Sequence, residues 1–203
     1  MSPVYPSLSE LGAALAEGPD ALKRRAGLVA AMAAHEQDGV DCSACSGVCC
    51  TFVANSMQTT PLETYDLLVW LQAQQRIDAD LVAHLKETVR RYRLDAPDPG
   101  DGRRSFVRRT YTCPFFKRDK LGCTISRQAK PYGCLGFNPF KAGQVEGGEC
   151  RSQIDLLERR EAEFAAREVV ADQVLRRGLA LDWEKKPMPV ALLEFIDKLA
   201  LAD

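Results

Sequence analysis

The chemistry in this chain is concentrated in its eight cysteines, which fall into two sets. Cys42, Cys45, Cys49 and Cys50 form a tight cluster, and Cys113, Cys123, Cys134 and Cys150 follow at wider intervals. Two thiols separated by two residues, as in Cys42 and Cys45, can direct both sulfurs onto one ion because the intervening turn faces its amides and thiolates inward. Ser43, Ala44, Ser46 and Gly47 are small enough for the chain to wrap closely around a metal. In the second set, Pro114, Gly122 and Pro131 flank Cys113, Cys123 and Cys134 and favour turns that can aim a sulfur.

Three plainer readings compete with metal ligation. Isolated buried cysteines often pack as small hydrophobes, and Cys150, standing alone, fits that role as well as it fits ligation. A disulfide framework requires an oxidising compartment. The amino-terminal stretch has neither a basic region nor an apolar core of an export signal, and the chain contains no run of about 18 apolar residues, so a cytoplasmic, non-membrane protein is expected. A redox Cys-x-x-Cys enzyme would need a βαβ pattern that does not accompany Cys42 and Cys45. Thiolate ligation of metal is the reading that remains for the clustered set.

In order and spacing these cysteines resemble the YkgJ-like CxxCxxCC family of zinc- or iron-chelating domain proteins. The resemblance rests on Cys42, Cys45, Cys49 and Cys50, then Cys113-Pro114, Cys123-Thr124-Ile125 and Pro131 to Cys134, and it spans about residues 42 to 150. The interval from Cys45 to Cys49 is one residue longer than the family name implies. Ser126 stands where tyrosine is frequent, and Leu135 where arginine is frequent. The resemblance implies a chelating site and no particular reaction. A related cysteine pattern occurs in flagellin lysine methylases, but no glycine-rich loop suited to a methyl donor can be identified here.

Four thiolates suffice for one tetrahedral zinc or one 4Fe-4S cluster, and both assemblies carry the same formal charge. Ligands borne on loops, with no second Cys-x-x-Cys pair facing the first, lean toward iron–sulfur. The adjacent side chains of Cys49 and Cys50 are expected to diverge, which would leave one of them outside the main ligand set. His35 and His84 fall on predicted helices far from the cysteines and are not expected to ligate.

Helices dominate the segments that must position these thiols. Ser7 to Glu10 has the form of a capping box opening a helix that Gly18-Pro19 interrupts, and a second helix is predicted from about Asp20 to Gln37. Thr60-Pro61-Leu62-Glu63 opens a third, apolar around most of its circumference and therefore buried. Asp78 caps a fourth, with Leu81, Leu85, Thr88, Val89 and Tyr92 in one stripe. Phe106 to Ile125 reads as a small β-hairpin carrying Cys113 and Cys123. Residues 149 to 178 favour a long helix, and Pro189 to Leu201 a last one with Leu192, Phe195, Ile196 and Leu199 inward. The expected fold is mainly α with a small β-hairpin, a helical frame around an irregular cysteine-rich metal-binding region. Its expected parts are an amino-terminal helical segment (1–41), a cysteine-cluster domain (42–150) with a helical insertion (60–94), and carboxy-terminal helices (151–203).

A net charge of −1 supplies no field for nucleic acid or an anionic membrane. Residues 90 to 109 nevertheless carry seven arginines against three aspartates, with Tyr92 and Phe106 interleaved. That stretch raises a rival function, a zinc-stabilised module binding nucleic acid or a protein partner. A solvated helix end that offsets a negatively charged metal centre explains it more simply, so nucleic acid is not the expected partner. The function expected is that of a metal-binding cysteine-cluster protein serving redox, metal handling or a modification reaction.

Overall fold

The structure, a computed structural model, describes residues 4–37, 47–96, 109–117, 122–139 and 150–201. In chain order the elements are α1 (Leu8–Leu15), α2 (Ala21–Gln37), a 3-10 turn (Val48–Cys50), β1 (Gln58–Thr59), α3 (Pro61–Ala73) and α4 (Ala79–Tyr92). These are followed by α5 (Tyr132–Leu135), β2 (Phe137–Pro139), β3 (Cys150–Ser152), α6 (Ile154–Gly178), β4 (Lys186–Pro187) and α7 (Met188–Leu199). The molecule is mainly helical, as its sequence predicts.

The helix starts follow from local chemistry. Ser7 and Thr60 each accept from the backbone N–H three residues on, while Glu10 and Glu63 reach back to the cap, so both predicted capping boxes form. Asp20 accepts from Lys23 N–H at 2.7 Å, and Asp78 accepts from Leu81 N–H at 2.7 Å. The apolar girth of α3 is used on two sides, against α6 and against α7. The stripe of α4 also meets α7, where Leu192, Phe195 and Ile196 are buried. One apolar cluster draws on Leu11 of α1, Leu67 and Leu71 of α3, Leu85 of α4, Phe115, Ile125, Leu175 of α6 and Phe195 of α7. All three sequence segments therefore contribute to the same buried core.

Strand placement departs from the sequence reading. Of the predicted hairpin over Phe106 to Ile125, part of which lies outside the described residues, the described part forms one antiparallel bridge, Phe116 to Cys123, supported by bonds from Lys117 N–H to Gly122 O (3.0 Å) and from Thr124 N–H to Phe115 O (2.9 Å). Pro114 has no N–H to give to a ladder, which limits how far pairing can run. The strand pairs proper lie elsewhere: β1 with β4 and β2 with β3, both antiparallel. Because Cys150–Ser152 is taken into β3, α6 begins at Ile154 rather than near residue 149. Pairs of two or three residues are too short to show alternation, so no sequence pattern announces them.

A second departure is a buried charge network between α2 and α3. Arg24 meets both oxygens of Asp66 at 2.6 Å, and Arg25 Nη1 meets Asp66 Oδ2 at 2.6 Å, all three side chains being buried. Tyr132 accepts from Arg24 Nε (3.1 Å) and donates to Glu168 (2.7 Å), and Arg160 also pairs with Glu168. This network fastens α5 to α2 and α6.

Candidate metal centre

The first cysteine set is placed by a turn. Gly47 adopts φ +73°, a left-handed conformation, and Cys50 N–H closes onto Gly47 O at 2.7 Å. A Cβ on Gly47 would stand 2.1 Å from the Phe116 ring, so only glycine lets this turn lie on the Cys113–Cys123 segment. The two segments are then stitched together. Cys113 N–H donates to Cys50 O (2.7 Å), Tyr111 N–H to Asn55 O (2.9 Å), Asn55 Nδ2 to Tyr111 O (3.0 Å) and the Tyr111 hydroxyl to Met57 O (2.6 Å). The bridge at Phe116 carries Cys123 alongside.

Cys134 arrives on the short helix α5. Its neighbour Gly133 lies against Met57, where a Cβ would approach Met57 Cε to 2.7 Å. Tyr132 N–H donates to Glu63 Oε1 at 2.8 Å, which holds the start of α5 to the first turn of α3. Just before it comes Lys130, buried at 7% exposure, whose main chain is fixed by Ser126 O and by Arg25 Nε, which donates to Lys130 O at 2.9 Å.

Cys49, Cys50, Cys113, Cys123 and Cys134 all line one cavity of ≈ 790 Å³, together with Lys130 and with Arg160, Glu168 and Asp172 of α6. Cys150, in β3 beside Pro139, is not part of that wall. Cys42 and Cys45 lie outside the described residues, as do Arg103, Arg104 and Arg108. Among the described residues all six cysteines are free thiols, and no group of three His, Cys, Asp or Glu side chains is already drawn close enough to hold an ion.

Cys49 and Cys50 do not diverge as their adjacency suggests. Their sulfurs are 4.0 Å apart. Two thiolates bound at roughly 2.3 Å to a tetrahedral ion are separated by roughly 3.8 Å, so this spacing suits one shared metal. The pair also shares a proton: a hydrogen bond from Cys50 lowers Cys49 to about 7, while Cys50 is raised by the same bond and by burial. Burial, then Cys123, push the Cys113 thiol up to about 12. Cys134 is raised likewise, by burial and then by Cys113 and Cys123. Neutral thiols crowded in this way gain from a cation that replaces their protons. The donor set is all sulfur, which suits zinc or iron–sulfur over harder cations.

Neither histidine lines the cavity. His35 Nε2 lies 3.0 Å from Gln153 Nε2, and His84 is exposed on α4. Arg90 pairs with Glu87, Arg91 lies over the Tyr92 ring, and Arg109 donates to Arg93 O. These described arginines are engaged within the chain. Among the residues that shape the cavity, Glu63 is signalled in the sequence only as the far end of a capping box, and Lys130 and Tyr132 only by their position beside Pro131.

Comparison of the chain with protein-family models, characterised proteins and solved structures finds no match.

Proposed function

We propose that the protein carries a thiolate-held metal centre, zinc or a 4Fe-4S cluster, with Cys49, Cys50, Cys113, Cys123 and Cys134 as ligands and Cys42 and Cys45 available to complete it. The observation that supports this best is that five thiols from three separate segments line one cavity. The resemblance to the YkgJ-like family points the same way. Bound zinc would staple these segments, whereas a bound cluster would add electron transfer.

The chain's own part is to gather, orient and enclose. The Cys113–Cys50 backbone bond fixes the two sets in register, Gly47 permits their close approach, and the Phe116–Cys123 bridge holds the third sulfur beside them. Metal must displace protons from thiols that burial keeps neutral, so loading releases protons and tightens as pH rises.

Anaerobic purification followed by elemental analysis and an absorption spectrum tests the proposal. Bound zinc without visible absorption, or iron and sulfide with broad visible charge-transfer absorption, supports it. Fully folded protein that binds neither, with every cysteine open to alkylation, overturns it.

A further inference from the structure

Cys49 and Cys50 are consecutive in the chain, and their sulfurs stand 4.0 Å apart on the cavity wall. The backbone around them is fixed on both sides. Gly47 turns the chain at φ +73°, Cys50 N–H donates to Gly47 O at 2.7 Å, Thr51 N–H donates to Val48 O at 3.2 Å, and Cys50 O accepts from Cys113 N–H at 2.7 Å. Both cysteines are partly exposed, so a solute can reach them. A disulfide does not suit this pair, because consecutive Cα atoms across a trans peptide lie about 3.8 Å apart, below the roughly 4.4–6.8 Å that disulfides span. The sulfur spacing is instead that of two sulfurs sharing one interposed atom. Among the described residues no three ligating side chains are already drawn together, whereas these two are. We propose that Cys49 and Cys50 form a vicinal dithiol site for trivalent arsenicals, a class of ligand that needs only two sulfurs. This goes beyond the thiolate-centre reading, with which it shares two thiols, and does not require it.

The chemistry balances without an oxidant. A hydrated monosubstituted arsenical, R–As(OH)₂, exchanges its two As–O bonds for two As–S bonds. The two thiol protons leave with the hydroxyls as two waters, and arsenic stays trivalent. Its lone pair fills the remaining position, so no further ligand has to be recruited from another segment. A tetrahedral cation differs, since it takes four donors, and the others here arrive on the Cys113–Cys123 segment and on α5. Soft sulfur donors match a soft, thiol-seeking centre. The fold adds preorganisation, because the two side chains are already side by side and less ordering is left to be done on binding.

The test uses the full chain, reduced and stripped of metal, treated with phenylarsine oxide in excess monothiol, which removes arsenic held by single cysteines. Intact mass reports how much is bound. Alkylation of the adduct, followed by fragment sequencing, reports which thiols it protects. The expected result is one phenylarsenic group per chain, protection of Cys49 and Cys50 alone, release by excess dimercaptopropanol, and a melting temperature raised by binding to the folded state. Cys49→Ser and Cys50→Ser should lose the adduct in monothiol, whereas Cys113→Ser and Cys150→Ser should keep it. Protection of any other pair, an adduct retained in Cys49→Ser, or wild type that holds none in monothiol each overturns the inference. An unchanged melting temperature also overturns it, since the dithiol would then be no better ordered than in the unfolded chain. The protection pattern of wild type decides the matter even where a serine variant fails to fold. A parallel Co²⁺ titration of untreated wild type keeps the two readings apart. Failure to bind cobalt through sulfur removes the thiolate centre and leaves the dithiol site standing, and cobalt binding without arsenical retention does the reverse.

Discussion

The amide of Cys113 donates to the carbonyl of Cys50 across 2.7 Å, and this bond brings together two cysteine sets that lie far apart in sequence. It belongs to a short zipper, with Asn55 and Tyr111 exchanging two further bonds beside it, and together these bonds fix the register between the two sets.

The division of the cysteines follows from that zipper. Cys113→Ser and Cys123→Ser should each lose bound metal on anaerobic dialysis, whereas Cys150→Ser should keep the wild-type metal content, because Cys150 stands in β3 and outside the cavity wall. Elemental analysis of the three variants checks this. Equal loss in all three would place Cys150 within the ligand set.

Gly47→Ala should destabilise the protein by about 1–3 kcal/mol, since alanine is strained at φ +73° and its Cβ would overlap Phe116. The second substitution Phe116→Ala should return part of the loss by removing the overlap while leaving the backbone strain. Urea denaturation of the single and double variants measures both terms, and strict additivity would show that the ring and the turn do not press on each other.

Asp66→Ala should cost about 3–5 kcal/mol, because it strands Arg24 and Arg25 in a buried site. Arg25 already has one buried nitrogen, Nη2, without a hydrogen-bond partner among the described residues. Adding Arg25→Leu to Asp66→Ala should therefore restore stability rather than reduce it further. Thermal melts of the two variants decide the sign.

Asp172 supplies a pH prediction. Burial raises its carboxyl from 3.8 to about 6, against the bond it accepts from Leu62 N–H at 2.8 Å. A folded-state value above the unfolded one means that the folded protein holds the proton more tightly, so stability contributed by protonated Asp172 is present below about pH 4 and is lost as pH rises through about 6. Asp172→Asn, which keeps an acceptor for Leu62, should thus gain about 1–2 kcal/mol relative to wild type between pH 4 and pH 7, a figure discounted for the partial exposure of the group. A stability difference independent of pH would mean that the carboxyl titrates normally.

The helical frame was legible because its signals are local. Capping boxes at Ser7 and Thr60, the Asp78 cap and the stripe on α4 each depend on neighbours within one or two turns. The cysteine set was legible as chemistry for a similar reason, since residue type and spacing suffice to suggest ligation. What escaped is long-range. The pairings of β1 with β4 and of β2 with β3 are set by tertiary contact, and the shared Asp66 joins arginines on a different helix. The approach of the Cys49 and Cys50 sulfurs to 4.0 Å also escaped, because a 3-10 turn sets adjacent side chains about 120° apart where an extended chain would put them on opposite faces.

The pairing of β1 with β4, continued by the bond from Met188 N–H to Met57 O, joins the segment just after Cys50 to one synthesised near the end of the chain. Closing so long a loop carries an entropic cost that has to be met before its contacts are rewarded. On the ribosome, the thiol-bearing segments emerge well before α6, Lys185 and Met188, which complete the cavity wall. An ion captured by the early cysteines would meet half a vessel, free to be bound in wrong combinations. Under the proposed function, correct loading would therefore wait until α6, Lys185 and Met188 have been made, so the order in which the walls are made would set the timing of metal delivery.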